Sequence, residues 1–358
     1  MEMLTWSGLR TWSGVWGNNG LANGERSEWP CAGGVAKGRM TMIVITEGQV
    51  AQLADYNSLI AAMDEVFLAC RRGQVENYPF VRSELRGAEG LFGVKSGCNY
   101  ATGVLGLKCG GYWSNNAGKG LDRHQSTVLL IDIETGQPTA LVAGNNLTAL
   151  RTAAAAAAAA RLLAREDSRH VGLLGTGRQA LFQLKALSQV RPIRSVAAWS
   201  RSGAHIADFG RQVEDLGLQF TAADTPRAAV RGADIIVTVT PARDAILHLA
   251  DVPPGAHINA MGSDTQGKRE LSSDLMQAAR VWTDDLQQAS AIGECQHLPS
   301  LASVAEIGSL LMDGAHPVRG LKDITVFDGT GLALQDLAAA NLIISAATKR
   351  GCAQTIAF

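Results

Sequence analysis

Apolar and polar positions along this chain follow two different rhythms. Between residues 170 and 264, short apolar runs alternate with stretches of helical spacing. His170-Val-Gly-Leu-Leu174 is followed by a helical pattern over 179–190, then Ser195-Val-Ala-Ala-Trp199, a second helical pattern over 204–216, Asp234-Ile-Ile-Val-Thr-Val-Thr240 and His257-Ile-Asn-Ala-Met261. Strands separated by helices of this length predict a parallel sheet wound on both faces. Just ahead, residues 152–165 read as one helix, because Ala153 to Ala160 are eight consecutive alanines. Alanine loses no side-chain entropy on becoming helical, and a helix so poor in bulk can bring its backbone close to a neighbour.

Before residue 150 the rhythm changes. Met42-Ile-Val-Ile45 predicts a strand, and Thr46 with Gln49 a capping box for a short helix. Residues 56–72 carry Leu59, Ile60, Met63, Val66, Phe67 and Cys70 at helical spacing. After the break at Tyr78-Pro79, strands are expected over 81–85, 90–95, 104–110 and 127–132, with Leu141-Val142 a further candidate. Residues 42–148 thus read as an α+β domain preceding a Rossmann-type, doubly wound domain over 149–331. Past Asp264, strands are expected over 280–283 and 323–327. A closing helix over 332–348 is expected to return to the first domain. Residues 1–41 fit neither rhythm: Trp6, Trp12, Trp16 and Trp29 lie there among Gly, Asn and Ser. They are read as an extension ahead of a start near Met40 or Met42, the alternative being an ordered arm over a partner subunit.

Length and charge narrow the function classes. The 358 residues suffice for two domains with cores, and a net charge of −1 with interspersed signs offers no basic stripe to nucleic acid. No apolar run is long enough to cross a bilayer. The six cysteines (31, 70, 98, 109, 295, 352) show no CxxC pairing, so no metal site or disulfide framework is expected and a cytoplasmic location is the simpler reading.

Candidate chemistry begins at Gly175-Thr-Gly-Arg-Gln-Ala180, which follows a strand and opens a helix. Glycines let the backbone approach a pyrophosphate, and a helix start presents free N–H groups and partial positive charge. Gly175, Thr176, Gly177, Arg178 and Gln179 are therefore candidate cofactor contacts, joined by Thr152, Thr238 and Thr240. Where the second strand ends, a carboxylate would favour NAD(H). The chain has Ser200, Arg201 and Ser202 instead. Arg201 suits the extra phosphate of NADP(H), or stacks on adenine and suits NAD(H); both cofactors stay open.

Several strings, in order, resemble the ornithine cyclodeaminase/μ-crystallin family: Tyr78-Pro-Phe-Val-Arg82, Leu105-Gly-Leu-Lys108, Asp132-Ile-Glu-Thr-Gly136, Leu147-Thr-Ala-Leu-Arg-Thr-Ala153, Gly175-Thr-Gly-Arg-Gln-Ala180, Asn259-Ala-Met-Gly-Ser-Asp264 and Val326-Phe-Asp-Gly-Thr-Gly-Leu-Ala333 with Asp336-Leu-Ala338. The resemblance runs from about residue 42 to the end. It implies an NAD(P)-dependent oxidoreductase acting at Cα of a small imino or amino acid, and a homodimer or larger assembly whose first domains meet at the interface. It also implies that Arg82, Lys108 and Arg151 surround the substrate carboxylate, and that Asp264 handles the proton or orients the nitrogen. Arg offers a planar fork to a carboxylate, and Lys a compact charge that can polarise an imine. Arg86 is the alternative to Arg82. Ordinary surface ion pairs are the plain alternative for these cations, and a loop cap for Asp264.

Lys95 and Arg123 lie where this family's pocket is lined. Both are basic, whereas a diamino acid would call for an acid there. Extra cations suit a second carboxylate, so iminosuccinate reduced to L-aspartate is the expected reaction. The alternative is that the pair faces solvent or binds Asp122 or Glu84. Rival readings are a cyclodeaminase for ornithine or lysine, an alanine dehydrogenase, and a non-catalytic nucleotide binder like μ-crystallin.

Overall fold

The structure is a computed structural model that describes residues 41–312 and 320–357. The expected extension over 1–41 lies outside the described residues, except for Thr41, which already belongs to the first strand. The chain begins with β1 (Thr41–Ile45), α1 (Glu47–Leu53), α2 (Tyr56–Arg71), β2 (Val75–Asn77), β3 (Val81–Glu84), β4 (Gly90–Asn99), β5 (Val104–Trp113), β6 (His124–Asp132) and β7 (Pro138–Ala143). These strands form an eight-stranded sheet in the order β16-β1-β7-β6-β5-β4-β2, with β3 also on β4 and with β16 (Gln354–Ala357) closing one edge. Only β1 and β7 pair in parallel there.

Next come α3 (Gly144–Leu163), β8 (His170–Leu174), α4 (Arg178–Val190), β9 (Ser195–Trp199), α5 (Ile206–Glu214), β10 (Gln219–Ala222), α6 (Pro226–Val230), β11 (Ile235–Thr238) and β12 (His257–Ala260). They are followed by α7 (Ser273–Ala278), β13 (Arg280–Thr283), α8 (Leu286–Ile292), β14 (Val304–Glu306), α9 (Gly308–Met312), β15 (Thr325–Asp328) and α10 (Ala333–Lys349). The second sheet runs β10-β9-β8-β11-β12-β15-β13-β14, and every pair in it is parallel. The chain winds outward from β8 in both directions, so a crevice opens where β8 meets β11. Ligands bind at such switch points. This is the doubly wound sheet that the alternation of apolar runs predicts. The short edge strands β2, β10, β14 and β16 were not legible in the pattern, since each is too brief for an alternation to show.

Helix α3 lies between the sheets. All eight alanines are buried, and the helix packs against α2, α4, α10 and β6. Asn259 donates to the Ala156 carbonyl at 3.2 Å, so a β12 side chain reaches the helix backbone itself. The helix starts eight residues before the expected Thr152, and the reason is non-local. Ala143 provides no cap; instead the Glu47 carboxylate accepts from the backbone N–H groups of Asn145 and Asn146, at 2.7 and 2.9 Å. A carboxylate at a helix start satisfies orphan donors and complements the dipole. At the other end Arg191 donates to the carbonyls of Arg161 and Ala164, both at 2.8 Å.

Helix α10 covers one face of the first sheet. A Cβ placed at Gly106 of β5 would lie 3.0 Å from Leu337 and 2.3 Å from the Leu129 carbonyl, so only glycine allows this approach. On the opposite face Leu105, Leu107, Cys109, Leu129 and Leu141 are only partly buried. No helix of the described residues is long and apolar enough to cross a membrane. Because α3 sits in contact on several sides, replacing Ala157, which is 0 % exposed, with Leu is expected to overpack it. A loss of about 1–3 kcal/mol in urea unfolding, with unchanged slope, is the expected result.

Candidate active site

Three buried charges from three elements make the floor of the site. Asp336, on α10, is 0 % exposed. Its carboxylate lies 2.8 Å from Lys108 Nζ, on β5, and accepts from Arg151 Nε, on α3, at 2.8 Å. Arg151 Nη1 also donates to Gln335 Oε1 at 3.0 Å. Burial alone would raise the Asp336 pKa, but Arg151 and Lys108 outweigh it and hold the carboxyl below its ordinary value. Burial pushes Lys108 down to about 8, with Asp336 opposing and Arg151 assisting. Two cations on one carboxylate leave the floor positive.

Lys95 stands opposite Lys108 in the antiparallel β4–β5 pair, so the two side chains share a face. Its Nζ donates to the carbonyls of Thr330 and Gly331, at 3.1 and 2.7 Å, and lies 4.9 Å from the Phe80 ring centroid. Burial, then repulsion from Lys108 and Arg151, brings it down to about 7.

Asp264 forms the facing wall, on the turn after β12. Its Oδ1 is 2.6 Å from Lys268 Nζ and 4.0 Å from Arg82 Nη1, and Arg82 also donates to the Asp264 carbonyl at 2.9 Å and to the Thr265 hydroxyl. Burial would raise this carboxyl, but Lys268, Arg82 and Lys95 override it and hold it well below the usual carboxylate range. Asp264 is therefore ionised, with its side chain 42 % exposed toward the cavity.

The cations of these groups and Asp264 line one cavity of about 750 Å³ between the first sheet and the carboxyl edge of the second, with Asp336 buried beneath it. Arg82, Lys95, Lys108, Arg123, Arg151 and Asp264 all reach it, whereas Arg86 does not. Arg123 is exposed and makes no ion pair among the described residues. Asp122, its expected alternative partner, instead binds Arg178 at 2.6 Å. Arg243 and Lys268 line the cavity too, so cations outnumber carboxylates around it.

The start of α4 borders the same cavity. Gly175 has φ +103°, and a Cβ there would come 3.0 Å from the Val239 carbonyl, so the turn requires glycine. Gly177 N-caps α4 without a side-chain bond, and a Cβ on it would meet nothing within 4 Å. Uncapped N–H groups open to a cavity fit a pyrophosphate. Gly177, Arg178, Gln179, Thr152 and Thr240 line the cavity; Gly175, Thr176, Ser200, Arg201 and Ser202 do not. Thr238 departs from expectation. It is fully buried and donates to Glu270 at 2.6 Å, away from the cavity.

Three residues without an assigned role in the sequence hold this geometry. Asp336 stands within a noted string, but its Arg151 partner lies 185 positions away. Glu270 accepts from Thr240 N, the Thr240 hydroxyl and Gly262 N at 2.7, 2.7 and 2.9 Å, tying two strand ends together. Asp284, 2 % exposed, accepts from Thr330 N, the Thr330 hydroxyl and Gly331 N at 3.2, 2.7 and 2.7 Å, fixing the loop that holds Lys95. Among the described residues no cluster of His, Cys, Asp and Glu could hold a metal ion.

Residues 40–351 match the profile of the ornithine cyclodeaminase/mu-crystallin family. The chain is 39 % identical over 319 residues to an iminosuccinate reductase of Paracoccus denitrificans, covering 88 % of this chain and 99 % of that one. The crystal structure of that reductase in complex with NAD+ superposes with a TM-score of 0.82 at 38 % identity, covering 88 % of this chain and 99 % of that one. An archaeal alanine dehydrogenase dimer with bound NAD gives a TM-score of 0.83 at 32 % identity, covering 89 % of this chain and all (100 %) of that one.

The floor yields a direct test. Asp336→Asn leaves Lys108 and Arg151 buried without their carboxylate, and removing one partner of a buried pair costs about 3–5 kcal/mol. Denaturant unfolding should show a loss of that order.

Proposed function

This chain belongs to the ornithine cyclodeaminase/mu-crystallin family, and on that premise we propose that it is an NAD(P)H-dependent imine reductase that converts iminosuccinate to L-aspartate. The observation that carries this reading is the cation-rich cavity beside an ionised Asp264, at the carboxyl edge of a doubly wound sheet. A dicarboxylate imine brings two negative charges and one nitrogen that becomes positive. The cavity complements both.

Arg82, Lys108 and Arg151 bind the carboxylate next to Cα, where Lys108 also draws electron density from the C=N bond. Asp264 faces the nitrogen, orients it and stabilises the positive charge that develops there. Arg123 binds the second carboxylate, and the nearby charge of Lys95 adds to its attraction. When bound, the reduced dinucleotide supplies a hydride to Cα; Thr152, Thr240 and the start of α4 hold it. The NAD-bound relatives support NAD(H), and Arg201, following β9, suits the extra phosphate of NADP(H). A cyclodeaminase would need a second carboxylate for a distal ammonium; Asp264 serves the nitrogen at Cα, and Asp122 is engaged by Arg178.

In this reading residues 42–148 with 332–358 bind substrate and dimerise, and residues 149–331 bind the dinucleotide. The partly covered apolar face of the first sheet and the dimeric alanine dehydrogenase support a homodimer. The five described cysteines are free thiols, which suits the cytoplasm.

Oxidation of NADH and NADPH against oxaloacetate, pyruvate and glyoxylate, each with ammonia, tests the reaction. Oxaloacetate should be preferred, and failure of all three would end the proposal. Asp264→Asn should lower turnover about 100-fold or more while nucleotide affinity changes little. Arg123→Thr should raise KM for oxaloacetate with ammonia about 10- to 100-fold and spare pyruvate. An unchanged oxaloacetate KM would remove Arg123 from the site. Light scattering should give twice the monomer mass.

A further inference from the structure

A neutral imine must gain a proton at nitrogen as hydride reaches Cα, and the group that gives it must be protonated, inside the cavity and able to let go. Asp264 is held ionised and has no proton to offer. His124 lines the cavity, but burial and Lys108 push it down to about 4, so it is the neutral base at working pH. Lys108 carries a proton too, but its Nζ is in direct ion-pair contact with Asp336 at 2.8 Å, and that carboxylate holds the proton in place.

Lys95 differs in each respect. It lines the cavity, and its ammonium is held by two backbone carbonyls with no carboxylate in ion-pair contact among the described residues. Lys108 on β5 and Arg151 on α3 repel its charge, against a weaker pull from Asp264 and Asp336. Losing a proton relieves that repulsion. The donor count also matches. An ammonium has three N–H donors; two serve the carbonyls of Thr330 and Gly331, and the third is left for a ligand. After one proton leaves, the neutral amine keeps two donors, enough for both carbonyls. Asp284 fixes those carbonyls by bonding the backbone of the same two residues.

We propose that Lys95 is the acid that protonates the substrate nitrogen in the reduction. The inference rests on the imine-reductase reading above. In the step, one Nζ–H bond of Lys95 breaks and its electron pair stays on Nζ, while a new N–H bond forms on the substrate. Hydride from the reduced nicotinamide forms the C–H bond at Cα, so the imine is reduced and the nicotinamide oxidised. Water then returns a proton to Lys95. With the ammonium as donor, kcat/KM falls as pH rises through about 7.

Lys95→Arg and Lys95→Met provide the test. Arginine keeps the charge but does not give up a proton near neutral pH. Expected for Lys95→Arg is a kcat loss of about 100-fold or more, a KM near wild type, and disappearance of the fall near pH 7. Lys95→Met should lose kcat equally and also bind the dicarboxylate less well. Wild-type kcat in Lys95→Arg would make Lys95 a carboxylate anchor only and overturn the inference. A readout independent of turnover is trace acetylation of the wild-type protein across pH, quantified by mass spectrometry. Lys95 should label with a midpoint near 7, and a midpoint near 10 would also overturn it. An inactive wild type would instead fail the imine-reductase reading, so the two failures are distinguishable.

Discussion

The structure depends on one buried carboxylate shared by two cations. Asp336 has no solvent exposure, and Lys108 and Arg151 both lie 2.8 Å from it. Three elements far apart in the chain must meet at this point, so β5, α3 and α10 are fixed relative to one another. Removing water from three charges is costly, and the cluster persists because each is partnered. What it provides is a positive floor with a defined shape, an arrangement suited to binding an anion without reorganisation.

Helix α3 connects that floor to the second sheet. Its early turns carry Thr148, Arg151 and Thr152 to the cavity, and its alanines allow β12 and α4 to approach its backbone. The same helix thus contributes to the cationic floor and packs against α4, which follows the glycine turn. Hydride transfer requires donor and acceptor carbons in close, fixed register, and one continuous helix reaching both sides of the cavity suits that demand.

A second set of carboxylates acts on backbone rather than on ligand. Glu270 ties the end of β11 to the turn after β12, and Asp284 holds the loop after β15. Burial raises the Glu270 pKa despite its hydrogen bonds. These anchors lie at the carboxyl edge of the parallel sheet, where the strand ends must be irregular to form a site and their polar groups still need partners.

The sequence alone determined the doubly wound sheet, because apolar runs of strand length separated by helical spacing have few other ways to bury themselves. It also pointed to the glycine turn before α4, and the family resemblance implied Lys108, Arg151, Asp264 and Arg82 as neighbours at one site. Tertiary structure decided what those charges do to each other. Asp336 as the shared partner, Glu47 as the cap of α3, Asp122 on Arg178 rather than Arg123, and Thr238 turned to Glu270 are all pairings between distant segments. A pattern of apolar and polar positions records which face is buried. Which two charges meet within 3 Å depends on how separate elements pack, and burial then sets which of them keeps its proton.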